Sequence, residues 1–317
     1  MRIGIGSARV KNVSVIASDI GGTLGGRQSV LSARTAKAVG QVLGAGVPFI
    51  LVSGFNLKVV TRIREQIRTR NESGLWSIVQ NGSLILKGNN IVERNYLDLE
   101  VAKEVVRFFC DKGLNPIAFA SPEMDCRQFT QPVGRDTSFA EAYGCEIVPD
   151  IASQLLSDPI QISVYDDNDL IFGMRAEAEC LFGGGRCNVI VSVGAEKSWL
   201  EITNARSNKL TALTTILRQI GARPEDVMYF GDNLNDVELL KSVGYPVVMN
   251  NGLPEVKKLA RRIAADCDAD GVAEVLEEYL ALVSGTTVEM VGGGGEATGR
   301  EATGGEETGG EVGETAQ

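Results

Sequence analysis

Two carboxylates that lie far apart in the chain carry the clearest chemical signal. Asp19 begins the segment DIGGTL at residues 19–24, after a short apolar stretch, and Asp232 lies in GDNLND at residues 231–236. Carboxylates at the ends of two separate strands can share one hard cation, and Mg²⁺ prefers oxygen ligands of this kind. Asp19 and Asp232 are therefore candidate ligands of one magnesium ion.

A hydroxyl group and an ammonium group accompany these carboxylates. Ser53 lies in the pair Ser53-Gly54 after a second apolar segment, and Lys209 opens a predicted helix. Together with backbone amides, they can hold the oxygens of a phosphoryl group. Asp19, at a sharp glycine turn beside a metal, can then attack phosphorus and form an aspartyl phosphate. The set predicts Mg²⁺-dependent phosphoryl transfer.

Each of these residues also has a simpler interpretation. Aspartate before glycine commonly forms a turn, Lys209 alone is an ordinary exposed helix residue, and Asn235 and Asp236 can cap the following helix. The chemical interpretation is favoured because all four segments lie at a predicted strand end or helix start, in one order along the chain. Taken separately, the segment at residues 231–236 is the most specific of the four, and Ser53-Gly54 is the least specific.

Strands and helices alternate in the first eighty residues. Apolar, β-branched runs at 13–18, 47–52 and 77–79 predict buried strands, and apolar residues three or four apart predict helices between them. The alternation returns at residues 210–254. This pattern predicts right-handed βαβ units in a parallel sheet, and such sheets bind ligands at the carboxyl ends of their strands.

The middle of the chain differs from both flanks. Strand-like runs at 160–165 and 188–193 stand among helical patterns, which indicates an α+β unit. We therefore predict an α/β protein with a Rossmann-like parallel sheet core. The core would comprise residues 1–83 and 196–283, and an α+β cap domain would be inserted at residues 84–195.

Residues 284–317 form an acidic tail by composition. They hold seven Glu and one Arg, so they carry −6 of the total charge of −10. Imperfect pentads rich in Gly and Glu begin at Glu296, and so few apolar groups cannot offset chain entropy, which predicts disorder. The remaining charge of −4 includes no basic cluster, so we expect no nucleic-acid partner.

Composition excludes several classes of mechanism. The 317 residues include no histidine, which rules out Ser-His-Asp and Cys-His catalysis and His-ligated zinc. The six cysteines form no C-x-x-C pair and are expected to be free thiols. We find neither an apolar run long enough to span a bilayer nor a signal-peptide pattern, so we expect no membrane partner and a cytoplasmic location.

The four segments, in this order and spacing, resemble the motifs of the haloacid dehalogenase (HAD) superfamily. The best match is its Cof-type sugar-phosphate phosphatase branch with an inserted α+β (C2B-like) cap, over about residues 13–282. The resemblance implies a small phosphorylated metabolite as substrate and Mg²⁺ as cofactor. By position it implies these roles: Asp19 as nucleophile and metal ligand; the Gly21 carbonyl and Asp232 as further metal ligands; Ser53, Gly54, Lys209 and Asn235 as phosphate contacts; and Asp236 as a residue behind the metal.

The first motif departs from the family at Gly21, where the resemblance implies a second Asp that protonates the leaving oxygen and later activates water. Phe55 is a lesser departure, because an Arg often follows the Ser-Gly pair. Loss of the acid is expected to impair hydrolysis of alkyl phosphates, and Gly21→Asp is expected to raise it. The alternatives are an enzyme for activated phosphates with good leaving groups and a pseudophosphatase that only binds a phosphorylated ligand.

Overall fold

The structure is a computed structural model that describes residues 10, 12–25, 30–120, 127–134 and 136–285. The predicted disordered tail, apart from its first two residues, lies outside the described residues. Within the described ranges, no helix combines the length and the apolar character needed to cross a membrane.

An eight-stranded sheet forms the core of the protein. Its strands, in chain order, are β1 (Val15–Asp19), β2 (Phe49–Val52), β3 (Leu75–Val79), β4 (Leu84–Lys87), β5 (Asn90–Arg94), β12 (Val227–Gly231), β13 (Tyr245–Met249) and β14 (Arg262–Ala264). The spatial order is β14-β13-β12-β1-β2-β3-β4-β5. All pairings from β14 to β3 are parallel, and β4 and β5 are added antiparallel.

Helices cover both faces of this sheet. They are α1 (Ala33–Gly44), α2 (Leu57–Gln66), α7 (Lys209–Ile220), α8 (Val237–Ser242), α9 (Pro254–Lys257) and α10 (Gly271–Val283). Three of them begin at a side chain that accepts a backbone N–H: Ser32 for α1, Asn56 for α2 and Asn208 for α7. Such caps satisfy amides that the first helical turn leaves unpaired. The predicted α/β class with a parallel core is confirmed.

A six-stranded sheet forms the cap. Its strands are β6 (Ile117–Phe119), β7 (Gln128–Thr130), β8 (Glu146–Ile147), β9 (Gln161–Asp167), β10 (Cys187–Ser192) and β11 (Lys197–Asn204), in the spatial order β10-β11-β9-β6-β7-β8. Four helices accompany it: α3 (Leu99–Asp111), α4 (Ser138–Ala142), α5 (Ile151–Gln154) and α6 (Asn168–Phe182). Pairing is antiparallel except between β7 and β8.

The two faces of the cap sheet differ because successive side chains of a strand point to opposite faces. On β9 and β11, Ile162, Val164, Leu200 and Ile202 belong to an apolar cluster with α3 and α6. The alternate positions are polar or aromatic, and they are Gln161, Ser163, Tyr165, Trp199 and Glu201. The second face is therefore available to line a pocket.

The cap boundaries in the structure differ from the predicted boundaries at residues 84 and 195. Residues 84–94 form β4 and β5, which extend the core sheet because β4 folds back on β3 as an antiparallel neighbour. Residues 197–204 form β11, which lies between β10 and β9 in the cap sheet. The inserted sheet therefore belongs to residues after Arg94 and up to Asn204, about ten residues later than predicted at each end.

Candidate active site

The parallel pairing of β1 with β12 brings the first and last motifs together. Ser18 is paired with Phe230, so Asp19 at the end of β1 and Asp232 just after β12 emerge at the same edge. Asp19 is buried, with 6% of its surface exposed. The order of strands in the sheet thus produces the convergence expected from the sequence.

A tight turn over Ile20–Leu24 connects Asp19 to the rest of the site. Gly22 has φ = 72°, and a Cβ atom there would lie 2.5 Å from Oδ2 of Asp232, so any side chain would strain the backbone and collide with the carboxylate. The turn also brings Thr23 Oγ1 to donate to Asp232 Oδ1 at 2.9 Å. Glycine is required here because two parts of the site approach closely.

Lys209, the first residue of α7, lies between two carboxylates. Its Nζ donates to Asp19 Oδ1 and to Asp236 Oδ1, each at 2.7 Å, and all three side chains are buried. The pairing holds the Asp19 carboxylate in a single orientation. Removing one member of such a buried cluster leaves an uncompensated charge, so the three residues act as a unit.

The Asp236 carboxylate is fully used in positioning its neighbours. Besides Lys209, Tyr229 Oη donates to its Oδ1 at 2.7 Å, and the backbone N–H groups of Asp232 and Asn233 donate to its Oδ2 at 3.0 and 3.2 Å. Asp236 therefore organises the loop that carries Asp232.

Negative charge exceeds positive charge in this cluster. When ionised, Asp19, Asp232 and Asp236 carry three negative charges against the one positive charge of Lys209, an excess of two. Burial raises the pKa of Asp19 well above its ordinary value, against the opposing effect of Lys209. Burial and the Asp236 carboxylate raise the pKa of Asp232 to about 7. Burial alone would lower the pKa of Lys209, but its ion pairs raise it.

The residues present fit a divalent cation. Oxygen atoms of Asp19, Asp232 and Asp236 lie within 4.8 Å of one another, and hard carboxylate oxygens are suited to Mg²⁺. An excess of two negative charges in a buried site is offset by one such ion. Asp236 already accepts four hydrogen bonds, so Asp19 and Asp232 are the side chains with capacity to ligate.

Ser53 and Gly54 lie at the end of β2, beside Asp19 at the end of β1. Ser53 is 1% exposed, and its Oγ accepts the Phe55 N–H at 3.0 Å. A Cβ atom on Gly54 would lie 3.2 Å from the Asn81 side chain. Asn81 has φ = 53°, a conformation that costs energy for a residue other than glycine and is often found at functional sites.

The ring of Phe55 occupies the space beside Gly21. A Cβ atom built on Gly21 would lie 3.1 Å from Cζ and 3.3 Å from Cε2 of Phe55. A side chain at position 21 would require this ring to shift by a few tenths of an ångström. The two departures from the family pattern, which look independent in the sequence, are therefore neighbours in space.

One pocket joins the core to the cap. Its lining combines the strand-end residues of the core with the second face of the cap sheet, and it consists of Asp19, Gly21, Ser53, Gly54, Phe55, Phe119, Tyr143, Gln161, Ser192, Trp199, Glu201, Asn233 and Asn235. A ligand bound through Ser53 would thus contact cap residues as well.

The loop after β12 links this pocket to the cap. Asn233 Nδ2 donates to the Val193 carbonyl at 2.7 Å, and Asn235 Nδ2 donates to Ser192 Oγ at 3.1 Å. Asn235 is a predicted phosphate contact, but in the structure its amide nitrogen donates to a cap residue. Its buried Oδ1 has no hydrogen-bond partner.

Comparison with known proteins identifies the family of the chain. The family model described as haloacid dehalogenase-like hydrolase matches residues 16–276, which is most of the chain. The chain belongs to this family.

Individual relatives resemble the chain over most of its length. The chloroplastic endoribonuclease YBEY of Arabidopsis thaliana is 27% identical over 282 residues, which cover 84% of this chain and 46% of that protein. The chain thus spans less than half of that relative. The 5-amino-6-(5-phospho-D-ribitylamino)uracil phosphatase YwtE of Bacillus subtilis is 23% identical over 299 residues, covering 84% of this chain and 98% of that one.

Solved structures share the HAD fold of this chain. A haloacid dehalogenase-like hydrolase from Bacteroides thetaiotaomicron superposes with a TM-score of 0.71 at 23% identity, over 84% of this chain and 99% of the other. At this level of identity the likeness shows the fold alone. The resemblance to the HAD superfamily inferred from the four motifs is confirmed.

Sequence reasoning missed the residues that complete the pocket on the cap side. These residues are Phe119, Tyr143, Gln161, Trp199 and Glu201. One available signal was the alternation along β9 and β11, where polar and aromatic residues share one face. Such a face must meet either solvent or a partner surface.

Proposed function

We propose that this HAD protein is a Mg²⁺-dependent phosphatase or phosphotransferase that acts on a small phosphorylated metabolite through Asp19. The observation that carries the proposal is the buried ion pair between Lys209 Nζ and Asp19 Oδ1 at 2.7 Å, beside Asp232 and opening on a pocket. A carboxylate held in one orientation at the floor of a pocket is suited to nucleophilic attack. The phosphatase names of relatives such as YwtE support the substrate class.

The proposed first step transfers the phosphoryl group to the enzyme. An Asp19 oxygen forms a bond to phosphorus while the bond from phosphorus to the leaving oxygen breaks, and the leaving group takes the electron pair. Ser53 Oγ, the Gly54 amide and Lys209 Nζ hold the phosphoryl oxygens. Mg²⁺ held by Asp19, the Gly21 carbonyl and Asp232 would offset phosphoryl charge. Water then attacks the aspartyl phosphate, which releases phosphate and restores Asp19.

Activated phosphates are the favoured substrates within this class. No side chain at position 21 gives a proton to the leaving oxygen, and the Phe55 ring lies against Gly21. An alkyl alcohol must then leave as a poorly stabilised alkoxide, whereas an aryl or acyl leaving group needs no proton. Without a side chain at position 21 to activate water, hydrolysis of the aspartyl phosphate would also be slow. Phosphoenzyme is therefore expected to accumulate.

The test combines turnover with detection of the covalent intermediate. The protein is incubated with 4-nitrophenyl phosphate or acetyl phosphate, with Mg²⁺ or with a chelator, and the Asp19 peptide is then analysed by mass spectrometry. We expect turnover only with Mg²⁺ and a phosphate on Asp19. Saturable binding of either compound without turnover or phosphorylation would instead establish the pseudophosphatase.

A further inference from the structure

The cap side of the pocket carries a cluster of aromatic rings. Trp199 lies 5.5 Å from Tyr143 between ring centroids, and Phe119 lies 6.5 Å from Tyr143 in an edge-on arrangement. All three line the pocket. Aromatic side chains of this kind favour contact with another ring through stacked or edge-to-face geometry.

The core side contributes a fourth ring, and its backbone is anchored at both ends. The Phe55 N–H donates to Ser53 Oγ at 3.0 Å, and its carbonyl accepts the Gln80 N–H at 3.0 Å. The ring lies against Gly21 and lines the same pocket as Asp19. Beside position 21, where the family resemblance implies an Asp, the pocket therefore has the aromatic ring of Phe55.

Hydrogen-bond acceptors face the same pocket. The Glu201 carboxylate accepts from Gln161 Nε2 at 2.9 Å and from Ser192 Oγ at 2.8 Å, and both partners are neutral. Gln161 is 2% exposed, and its Oε1 has no hydrogen-bond partner, as is also true of Asn235 Oδ1. Buried acceptors without partners are costly unless a ligand supplies donors.

We infer that this pocket binds the leaving group of the substrate as a flat, conjugated ring that carries N–H or O–H donors. The ring would lie against Phe55, Tyr143 and Trp199 and donate to Glu201 and Gln161. This inference rests on the proposed function and specifies its substrate: the phosphate ester of an aryl or heteroaryl hydroxyl. When the bond from phosphorus to oxygen breaks, the electron pair stays on the ring oxygen and is delocalised, so no proton donor at position 21 is needed.

The test measures binding separately from turnover. Calorimetry with Mg²⁺ compares benzylphosphonate with cyclohexylmethylphosphonate, which have the same phosphonate group on a flat or a puckered ring. We expect benzylphosphonate to bind about three- to tenfold more tightly, the range that one or two aromatic contacts provide. Trp199→Leu should abolish the preference, and Trp199→Phe should retain most of it. Phe172→Leu, at a ring 42% exposed on α6, is the matched control and should change neither affinity.

The outcomes distinguish the inference from the function on which it rests. Equal affinities for the two phosphonates, or an equal loss of both in Trp199→Leu, would overturn the aromatic site. If the preference holds but no phosphate ester is turned over, the binding inference stands and the catalytic proposal fails. A second variant, Phe55→Leu, repeats the test on the core side and leaves the aromatic cluster of the cap intact. It should also reduce the preference for benzylphosphonate, and an unchanged preference would exclude Phe55 from the ring site.

Discussion

The two sides of the pocket are built on different principles. On the core side, Asp19, Lys209 and Asp236 form a buried chain of ion pairs with distances of 2.7 Å. On the cap side, the sheet presents aromatic rings together with Glu201, whose carboxylate is held by neutral donors. The core side therefore presents charged groups that ion pairs hold in place. The cap side presents aromatic rings and hydrogen-bond acceptors.

This difference suggests that the core side carries out phosphoryl transfer and that the cap side determines which substrate binds. Changes on the core side are expected to alter the rate of phosphoryl transfer, and changes on the cap side are expected to alter which phosphate binds. Phe55 lies at the junction, because it belongs to a core loop but contributes a ring to the binding surface. Three predictions test this division, and a fourth tests the charge of the core side.

The largest effect is expected from Asp19→Asn. The variant keeps the shape of the side chain and leaves Lys209 paired with Asp236, but it removes the nucleophile, so kcat should fall by about 10⁴-fold or more. Steady-state kinetics on 4-nitrophenyl phosphate measures the loss, with Asp111→Asn at an exposed position as control. A loss of less than tenfold would mean that another group attacks phosphorus.

The sequence alone predicts a gain of activity from Gly21→Asp, but the contact with Phe55 leads us to expect a gain only when positions 21 and 55 change together. Gly21→Asp alone should gain little, since its Cβ would lie 3.1 Å from the Phe55 ring. Gly21→Asp with Phe55→Ala provides both the acid and the space for it, and should raise kcat/KM for an alkyl phosphate by about 10–100-fold, below the full value of general acid catalysis. An equal gain from the single variant would show that the ring moves aside freely.

The same division explains how much of the protein could be predicted from sequence. Alternating apolar segments and four motifs were enough for the parallel core, because strand ends in a parallel sheet converge on one edge. The partnership of Asp236 with Lys209 and the contact of Phe55 with Gly21 depend on side-chain positions that no local pattern specifies. The cap residues Trp199 and Gln161 belong to strands whose pairing partners lie far away in sequence. Alternation along each strand indicates that one face is polar or aromatic, but only the sheet register shows that these faces meet at one pocket.

A smaller, substrate-dependent effect is expected from Glu201→Gln. The amide keeps the size of the side chain but loses the negative charge and one acceptor, so KM for a donor-bearing aryl phosphate should rise several-fold, by about 1 kcal/mol of binding, with kcat unchanged. Glu146→Gln on the exposed strand β8 is the control. A fall in kcat with KM unchanged would instead place Glu201 in the chemical step.

The smallest effect concerns stability rather than activity. The pKa of Asp232 is about 7 in the folded protein and near the ordinary 3.8 when unfolded, so the folded state holds its proton more tightly. Its contribution to stability is present below about pH 4 and is lost as pH rises through 7. Without metal, the free energy of unfolding should fall over this pH range by about 1 kcal/mol or more. Tm should fall by a few degrees as a result.

Asp232→Asn should make that decline shallower, because the variant loses one of the two carboxyl groups with a raised pKa, and saturating Mg²⁺ should make it shallower in the unmodified protein. Thermal unfolding followed by circular dichroism from pH 4 to 8 measures both. Parallel curves for the variant and the unmodified protein would show that Asp232 is not the group responsible.

The central claim is that phosphate leaves its alcohol without help from an acid at position 21. The most direct measurement is the dependence of log kcat/KM on the pKa of the leaving alcohol, across a series of aryl and benzyl phosphates with Mg²⁺. The structure predicts a steep decline as the alcohol becomes less acidic, and a shallower one in Gly21→Asp with Phe55→Ala. A flat dependence in the unmodified protein would mean that another group protonates the leaving oxygen, and it would contradict this account of Gly21.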